Sequence, residues 1–529
     1  MTRGAARLLL LGAATGAWLV YAAPPDGPYP LAFIAFVPLL CAADGRGCPG
    51  PALAGWVAGV VFYVGLADFL PATIAELQGV RRSIAWACFA LFAGAHALQF
   101  AAAFGAAALL GGRTRRRAWV SVALARAAAW VWLEWAFPKV FPWSVGNALG
   151  PDARLRQGAE LGGVYGLGLL VMLVNALLAE SARGGSAPSE RLHAAAAAAA
   201  LLGLAMGYGA WRSGSVDRPA SSRAPRVAVV QGGIGPVGQD PGTATERDFS
   251  TYAALSRAAA PAADLLVWPE SALRIYVRDN EFFRARVAEL ARDAHRPLLL
   301  GALDRPADGA GELNSAYLFA ATAMQRPAVV YHKAALLPFG EYVPGASWWP
   351  VLRHWRTTGE FVRGEPPVPL ATELRGVGVR LAPSICFEAV RAGAFNQQVR
   401  RGAVLLVNLT DDSWFASPRA AGLHLELVRL RAVETRRWLV RASASGISAF
   451  IDPGGRVVAR LPLGATGALT HAVALRRSRT PYVCAGDWVP ALCAGLVALR
   501  VLQMARLRRD RRAAPRLRRR REWRVGARR

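Results

Sequence analysis

One stretch decides the fold of the second half of the chain, and it reads Val379-Arg380-Leu381-Ala382-Pro383-Ser384-Ile385-Cys386-Phe387-Glu388. A strand-like run ends at Cys386, and an aromatic residue and an acid follow the cysteine. A lone cysteine in an α/β domain is more often a small buried apolar residue. Cys386, however, follows the end of a predicted strand, where the active sites of α/β proteins are usually found. This position is typical of a nucleophile elbow. The stretch therefore predicts a strand that presents Cys386 as a nucleophile.

Two other strand-like runs also end near a reactive side chain. Glu270 follows an apolar run and a proline, a position that by itself more often belongs to an acid at a helix N-terminus. Lys333 follows a second run and is one of only two lysines, with Lys139, in a chain that otherwise uses arginine. A lysine retained in such a chain indicates that a compact ammonium is needed. Together with Cys386, these residues predict nucleophilic catalysis.

The sequence between 226 and 480 alternates short strand-like runs with helical patterns, which predicts an α/β domain. The runs are partly β-branched and are bounded by turn or charged residues. They cover 227–231, 264–268, 297–302, 316–319, 328–331, 378–385 and 403–408. Helical patterns cover 282–294 and 423–437.

Long apolar runs lie on both sides of this domain, in a chain that is 54% hydrophobic and 19% charged. A bilayer core is crossed by about 20 apolar residues. On this basis we predict about eight spans, near 6–23, 30–43, 51–69, 84–111, 118–136, 162–181, 192–211 and 487–505. The second is short enough to be re-entrant instead. The first also fits a signal peptide, but no clean cleavage site precedes a soluble domain, so we predict an uncleaved helix.

The predicted domains follow from these patterns. They are a transmembrane helical bundle at 1–211, a linker at 212–225, an α/β domain at 226–480, a last transmembrane helix at 481–505 and a basic tail at 506–529. The net charge of +28 is concentrated in the tail and in a loop with Arg113, Arg115, Arg116 and Arg117. Basic loops mark the cytoplasmic side of a membrane protein, so residues 212–486 are predicted on the opposite side. The six cysteines and their spacing indicate neither a zinc site nor a disulfide framework.

Longer motifs around the reactive residues are similar to those of one family. They are Trp268-Pro269-Glu270-Ser271, His332-Lys333, Pro338-Phe339-Gly340-Glu341-Tyr342-Val343-Pro344, Cys386-Phe387-Glu388 and Asn408-Leu409-Thr410-Asp411-Asp412-Ser413-Trp414-Phe415. These motifs resemble the apolipoprotein N-acyltransferases of bacteria, which are membrane members of the nitrilase superfamily. Segments 132–135, 141–143 and 158–163 look like the membrane domain of that family, so the resemblance covers nearly the whole chain except the tail. Two departures are the lack of an aromatic residue after Gln231 and Phe387 where tyrosine is frequent.

The resemblance implies a transmembrane α-helical bundle joined to a nitrilase-like αββα sandwich. It also implies that an acyl chain moves from a phospholipid, through a cysteine thioester, to the α-amine of an S-diacylglyceryl-cysteine apolipoprotein. The expected location is the bacterial inner membrane, with the catalytic domain on the periplasmic face. The expected partners are the phospholipid donor and the apolipoprotein acceptor. We expect a monomer with no cofactor, no metal and no nucleic-acid partner.

Residue chemistry supports roles for the three reactive side chains. Glu270 is expected to act as general base and Cys386 as nucleophile. Lys333 is expected to lower the pKa of the thiol and, with a backbone N–H beyond the cysteine, to stabilise an oxyanion. The supporting residues are Glu341 and Glu388, expected to orient Lys333, and Phe387.

Two other functions are compatible with the same residues. A membrane-anchored nitrilase or amidase would hydrolyse small amides with the same triad. Polar residues in or beside the spans, such as Glu134 and Glu160, argue against a membrane part that is only an anchor. A non-catalytic scaffold that binds lipoproteins would not need glutamate, lysine and cysteine together.

Trp348 and Trp349 follow the Glu341 motif and suggest a lipid access loop. Tryptophan is enriched at bilayer interfaces, so this loop is predicted to rest there and to admit lipid. We expect the double variant Trp348→Ala/Trp349→Ala to form acyl-enzyme from phospholipid vesicles more slowly than the parent protein. Unchanged acyl-enzyme formation would show that these side chains are ordinary structural aromatics.

Overall fold

The computed structural model of the protein describes residues 3–25, 27–44, 46–111, 119–184, 187–216, 224–235, 241–322, 329–355, 357–415 and 417–506. The basic loop at Arg113, Arg115, Arg116 and Arg117, and nearly all of the basic tail, lie outside the described residues. The described part contains an apolar helical bundle and an α/β domain, as predicted.

The bundle is formed by helices that carry few charged residues. They are α1 (Arg3–Ala22), α2 (Val37–Ala43), α3 (Pro49–Leu66), α4 (Leu70–Gln78), α5 (Arg82–Gly111), α6 (Trp119–Ala136), α7 (Ala159–Ser181) and α8 (Pro188–Val216). Another helix, at Trp488–Arg506, follows the α/β domain. α8 continues to Val216, inside the segment predicted as a linker.

The number of helices that meet the requirements for a span is smaller than the eight predicted. Among the described residues, six helices are long and apolar enough to cross a membrane. The predicted span at 30–43 corresponds to a shorter apolar helical segment, Tyr29–Ala43. α6 is helical where predicted, but Arg126 and Glu134 lower its mean hydropathy. Both side chains are buried inside the bundle, where Arg126 pairs with Glu180 at 3.1 Å, as expected for charges at membrane depth.

The α/β domain contains two sheets. The first has seven strands: β1 (Arg226–Gln231), β2 (Leu265–Val267), β3 (Leu273–Tyr276), β4 (Leu298–Asp304), β5 (Leu313–Phe319), β6 (Val329–His332) and β13 (Gly467–Ala472). The second has six: β7 (Leu370–Leu374), β8 (Val377–Ile385), β9 (Leu405–Thr410), β10 (Leu439–Ser443), β11 (Ser448–Ile451) and β12 (Val457–Leu461). β1, β2 and β4 are parallel, as are β8, β9 and β10.

The two sheets pack face to face with helices on both outer faces, which confirms the αββα sandwich. Aliphatic side chains from β1, β2, β8, β9 and β10 form one buried cluster between the sheets. Helices α9 (Pro241–Ala259) and α10 (Glu281–Asp293) cover the first sheet through a second cluster. Helices α11 (Asn396–Arg400) and α12 (Pro418–Thr435) cover the second sheet. Because both faces of each sheet are covered, every residue of the central strands β2, β9 and β10 is buried.

All seven predicted strands are present, but other elements escaped the sequence patterns. α9 has a polar sequence, and β3, β7 and β10–β13 lack a continuous apolar run. β12 and β13 are mostly half-buried edge strands; β12 pairs with β11 in the second sheet and β13 with β1 in the first, both antiparallel. Burial of these edge strands depends on neighbours that are distant in sequence, and local periodicity does not report it.

α12 joins the sandwich to the membrane bundle. At its carboxyl end, the Glu434 carboxylate accepts a hydrogen bond from the backbone N–H of Val164 in α7 at 3.2 Å. Arg436 then pairs with Glu160 of α7 at 2.6 Å. α7 is kinked here, and a side chain at Gly163 (φ +64°) would collide with the ring of Tyr482. Helix α12 of the α/β sandwich is therefore bonded directly to the amino end of the membrane helix α7.

We expect Arg436→Gln to weaken this junction. Arg436 and Glu160 are both almost fully buried, and removal of the sole partner of a buried charge costs about 3–5 kcal/mol. Because Glu160 keeps Arg212 as a second partner, the expected loss for Arg436→Gln is smaller than this. The measurement is thermal unfolding of the purified full-length protein in detergent, followed by tryptophan fluorescence.

The control for Arg436→Gln is Arg305→Gln, which removes an exposed ion pair with Asp279. Exposed pairs contribute about 0–1 kcal/mol, so this control should unfold close to the parent temperature. Equal unfolding temperatures for the two variants would contradict a structural role for the Arg436–Glu160 pair.

Candidate active site

Glu270 leaves the first sheet at the carboxyl end of β2. The chain turns sharply there, and Ser271 adopts a left-handed backbone with φ of +50°. Gly301 of β4 lies directly beneath the turn, since a side chain at this position would lie 2.6 Å from the Cα atom of Glu270. The absence of a side chain at Gly301 thus lets the loop carry the glutamate close to the sheet.

Lys333 emerges beside Glu270 because their strands run in the same direction. β5 is antiparallel to both β4 and β6, so β6 is parallel to β2 and ends at the same edge. Lys333 is 1% exposed, and its Nζ lies 2.8 Å from Glu341 Oε1 and 3.4 Å from Glu270 Oε1. The structure therefore brings two predicted residues together and adds Glu341 as the nearer carboxylate.

An asparagine that the sequence analysis missed connects the two carboxylates. Asn314 of β5 is buried, and its Nδ2 donates to Glu270 Oε1 at 2.8 Å and to Glu341 Oε1 at 3.2 Å. The backbone N–H of Asp411 donates to the other oxygen of Glu270 at 2.9 Å. These donors satisfy the buried oxygens and orient the Glu270 carboxylate. Nothing in the local sequence at Asn314 distinguishes it from an ordinary strand residue.

Cys386 lies at the end of β8, opposite the cluster formed by Glu270 and Lys333. It is half-buried and has a left-handed backbone with φ of +50°, the strained geometry of a nucleophile at a strand-to-helix turn. Burial raises the pKa of the Cys386 thiol well above its usual value, and the nearby Glu270 carboxylate raises it further. Lys333 lowers the pKa of the thiol, as predicted, but does not outweigh these two effects. At rest, Cys386 is therefore a thiol.

Two neighbouring carboxylates, Glu341 and Glu270, stabilise the positive charge of Lys333. Burial alone would lower the pKa of this lysine, but the Glu341 and Glu270 carboxylates raise it above its usual value. An ammonium between two carboxylates keeps its proton at neutral pH. Lys333 is therefore a permanent cation in the cleft and does not act as a base.

Glu388, predicted to help orient Lys333, holds the backbone on both sides of the cleft. Its carboxylate accepts hydrogen bonds from the backbone N–H groups of Ala334, Ala335 and Ile385 at 2.7–2.9 Å, and from the hydroxyl of Tyr331. It therefore ties the loop after Lys333 to the strand that carries the nucleophile. Phe387 is half-buried beside it. Glu388 positions the backbone on both sides of the cleft instead of touching the ammonium.

A second buried hydrogen-bond network, formed by Asp412, Arg441 and His424, follows the loop residue Asp411 that bonds Glu270. The Asp412 carboxylate accepts hydrogen bonds from Arg441 at 2.7 Å and lies 2.8 Å from Nδ1 of His424 in α12. Although burial would raise the pKa of Asp412, Arg441 and His424 hold it well below its usual value. His424 and Arg441 therefore both bond the Asp412 carboxylate, next to the loop that holds Glu270.

Trp348 and Trp349 project from the loop that follows Glu341. Their side chains are 82% and 64% exposed, whereas Trp355 is held by a hydrogen bond from its Nε1 to the Phe339 carbonyl oxygen at 2.8 Å. Large exposed indoles suit contact with an apolar phase, and the role of this loop in lipid access stays a prediction. Within the described residues, no group of three or more His, Cys, Asp or Glu side chains could hold a metal ion.

Comparison with known proteins places both parts of the chain. Residues 15–177 match the family described as apolipoprotein N-acyltransferase N-terminal domain, and residues 226–480 match the carbon-nitrogen hydrolase family. Among solved structures, an amidase from Nesterenkonia sp. AN1 is 20% identical, with a TM-score of 0.37, over 50% of this chain and 97% of the amidase.

Relatives match over nearly the whole length. An apolipoprotein N-acyltransferase from Geobacter metallireducens is 32% identical over 92% of this chain and 94% of the relative. One from Gloeobacter violaceus is also 32% identical, over 92% of this chain and 91% of the relative. The membrane helices, the α/β sandwich and these matches together identify an acyltransferase of the nitrilase superfamily. The chain belongs to the apolipoprotein N-acyltransferase family.

Proposed function

We propose that the protein transfers an acyl chain from a phospholipid to the N-terminal α-amine of a diacylated apolipoprotein, through a thioester on Cys386. The observation that supports this most strongly is the buried contact of Lys333 with Glu270 and Glu341 beside the cysteine. The names of the relatives supply the acceptor class. The apolar helices supply contact with the donor lipid.

In the first half-reaction, the Cys386 sulfur attacks the ester carbonyl carbon of the phospholipid. Because the resting thiol keeps its proton, the attack requires a base, and Glu270 accepts the proton as the S–C bond forms. Collapse of the tetrahedral intermediate breaks the ester C–O bond. Glu270 returns the proton to the departing oxygen, which leaves a lysophospholipid and an acyl thioester on Cys386.

Lys333 stabilises the negative charge that develops on the carbonyl oxygen. Its ammonium is fixed by Glu341, so no reorganisation is needed when the charge appears. A backbone N–H near Phe387 is the proposed second donor. One such preorganised donor typically contributes about 3–4 kcal/mol to the transition state.

In the second half-reaction, the α-amine of the apolipoprotein attacks the thioester. An α-amine has a pKa of about 7.7–8.0, so a fraction is neutral at pH 7. Glu270 takes a proton from the attacking nitrogen, the C–S bond breaks, and the thiolate regains a proton from Glu270. A thioester reacts with amines faster than an oxygen ester does, which accounts for the use of cysteine.

We further propose that the sandwich lies on the periplasmic face of the inner membrane and that the protein works as a monomer. The arginines of the loop at 112–118 and of the tail at 506–529 support this orientation, because basic segments favour the cytoplasmic side. The junction of α12 with α7 holds the cleft close to the ends of the membrane helices. Both substrates, each anchored by acyl chains, can then reach the cleft from the bilayer.

We expect purified protein mixed with phospholipid to carry one added acyl mass on Cys386. Intact-protein and peptide mass spectrometry will locate the adduct, and a diacylated lipopeptide with a free α-amine will discharge it. Cys386→Ala should show no adduct, because no other residue of the triad forms the thioester. Cys484→Ala, which removes an exposed cysteine, is the matched control and should acylate normally.

Two results would contradict the proposed reaction. Hydrolysis of soluble amides without an acyl adduct from lipid would identify an amidase. Lipopeptide binding without an adduct and without turnover would identify a scaffold.

We expect Glu341→Gln to lower kcat for acyl transfer about 100-fold, with little change in KM. The neutral amide no longer fixes the Lys333 ammonium, and small misplacements of a catalytic group cost rates of this order. The control is Glu373→Gln on β7, which is exposed and lies outside the cleft. A normal kcat for Glu341→Gln, measured by lipopeptide acylation, would show that Glu270 alone is sufficient to position the lysine.

A further inference from the structure

A second cleft, of about 490 Å³, lies away from Cys386. Its walls come from the start of β8, the edge strand β7, the turn after α11 and the segment that follows β13. Four of the residues that line it are arginines: Arg380, Arg437, Arg477 and Arg479. A carboxylate-free cleft with four guanidinium groups has a strongly positive potential.

Arg437 forms the floor of this cleft and is 1% exposed. Its Nε donates to the Ala403 carbonyl oxygen at 3.1 Å, and its Nη1 donates to the Thr435 and Ser478 carbonyl oxygens at 2.5 and 2.6 Å. Its Nη2 donates to no residue in the described part of the chain. Burial lowers the pKa of Arg437 and, together with the neighbouring Arg479, brings it to about 10. A buried cation with a free donor and a cationic neighbour is a costly arrangement without an anion.

The other three arginines also lack a carboxylate partner. Arg380 and Arg479 donate to the backbone carbonyl oxygens of Arg401 at 2.9 Å and Arg400 at 2.6 Å. Arg477 is exposed and has no hydrogen bond or ion pair with any described residue. The four guanidinium groups therefore line the cleft, and some of their N–H groups have no hydrogen-bond acceptor among the described residues.

The position of the cleft places it close to the membrane. Arg479 lies two residues before the short helix α13 (Pro481–Ala485), which leads into the membrane helix α14 (Trp488–Arg506). Arg400, which follows the lining residue Val399, donates to the Val483 carbonyl oxygen of α13 at 2.5 Å. Trp488 is 41% exposed at the start of α14, as is typical of an interfacial residue. The cleft thus opens beside the point where the last helix enters the bilayer.

The cleft is distinct from the active site. Arg380 lies in the first half of β8 and Cys386 directly follows the end of this strand, six residues later, which corresponds to about 20 Å along an extended strand. A ligand in the cleft therefore does not reach the thiol.

We propose that this arginine cleft binds a phosphate group, and that its source is the headgroup of an anionic phospholipid. Guanidinium groups bind phosphate oxygens in bidentate fashion, and a phosphodiester supplies the negative charge that the cleft lacks. A lipid bound in this cleft anchors the sandwich to the bilayer beside the first residues of α14. The proposed binding of phosphate by the arginine cleft does not depend on the acyl-transfer reaction proposed for Cys386.

The test measures lipid retention by native mass spectrometry of the full-length protein in detergent. Cys386→Ala serves as the background, so that added phosphatidylglycerol cannot acylate the protein. The cleft variant combines Arg380→Gln with Arg477→Gln and leaves Arg437 in place, and a parallel series titrates inorganic phosphate. The control combines Arg292→Gln with Arg460→Gln, which removes the same charge from exposed positions outside the cleft.

The expected result is one tightly retained phosphatidylglycerol on the background protein and on the control, with at least tenfold weaker retention on the cleft variant. If millimolar inorganic phosphate displaces that lipid from the background protein, the phosphate itself is the recognised group. If inorganic phosphate binds the cleft and no lipid is retained there, the phosphate chemistry holds and its source is the solution. Equal retention of lipid by the cleft variant and the control, with equal phosphate binding, would overturn the proposal.

Discussion

The candidate site depends on one interaction, the burial of the Lys333 ammonium between the carboxylates of Glu341 and Glu270. Charges of this kind are stable in a protein interior only when they are paired and hydrogen-bonded. One ammonium does not neutralise two carboxylates, so the excess negative charge must be shared by other donors. Asn314 and the backbone N–H groups of Leu337 and Asp411 provide them. Those donors come from separate strands and loops, so the charge cluster requires the complete first sheet and the loop after β9.

The same cluster determines the state of the nucleophile. With Glu270 close by and solvent largely excluded, Cys386 remains a thiol until it attacks, and the base and the oxyanion donor are both in place at that moment. A resting thiol is also less prone to oxidation than a thiolate. α12 extends this arrangement to the membrane, since His424 near its start contacts Asp412 behind the site, and Glu434 near its end is bonded to α7. The same helix, α12, therefore contacts the candidate active site near its start and the membrane bundle near its end.

Much of the fold was predictable because it rests on local patterns. Long apolar runs gave the membrane helices, and short β-branched runs gave seven strands of the two sheets. The number of spans was less certain from sequence, since Arg126 and Glu134 of α6 are satisfied by partners inside the bundle and not by local context. Strands β3, β7 and β10–β13 and helix α9 were missed because packing against distant segments, and not their own periodicity, keeps them in place.

For the site, the sequence by itself determined which side chains stand at strand ends, and thereby named Glu270, Lys333 and Cys386. Tertiary structure alone decided the distances between them, the addition of Asn314, the placement of Glu388 on the backbone, and the direction of the pKa shift of the thiol. The physical reason is that electrostatic effects depend on burial and on the separation of charges. Both quantities arise only when strands that are far apart in the chain meet at one edge of a sandwich.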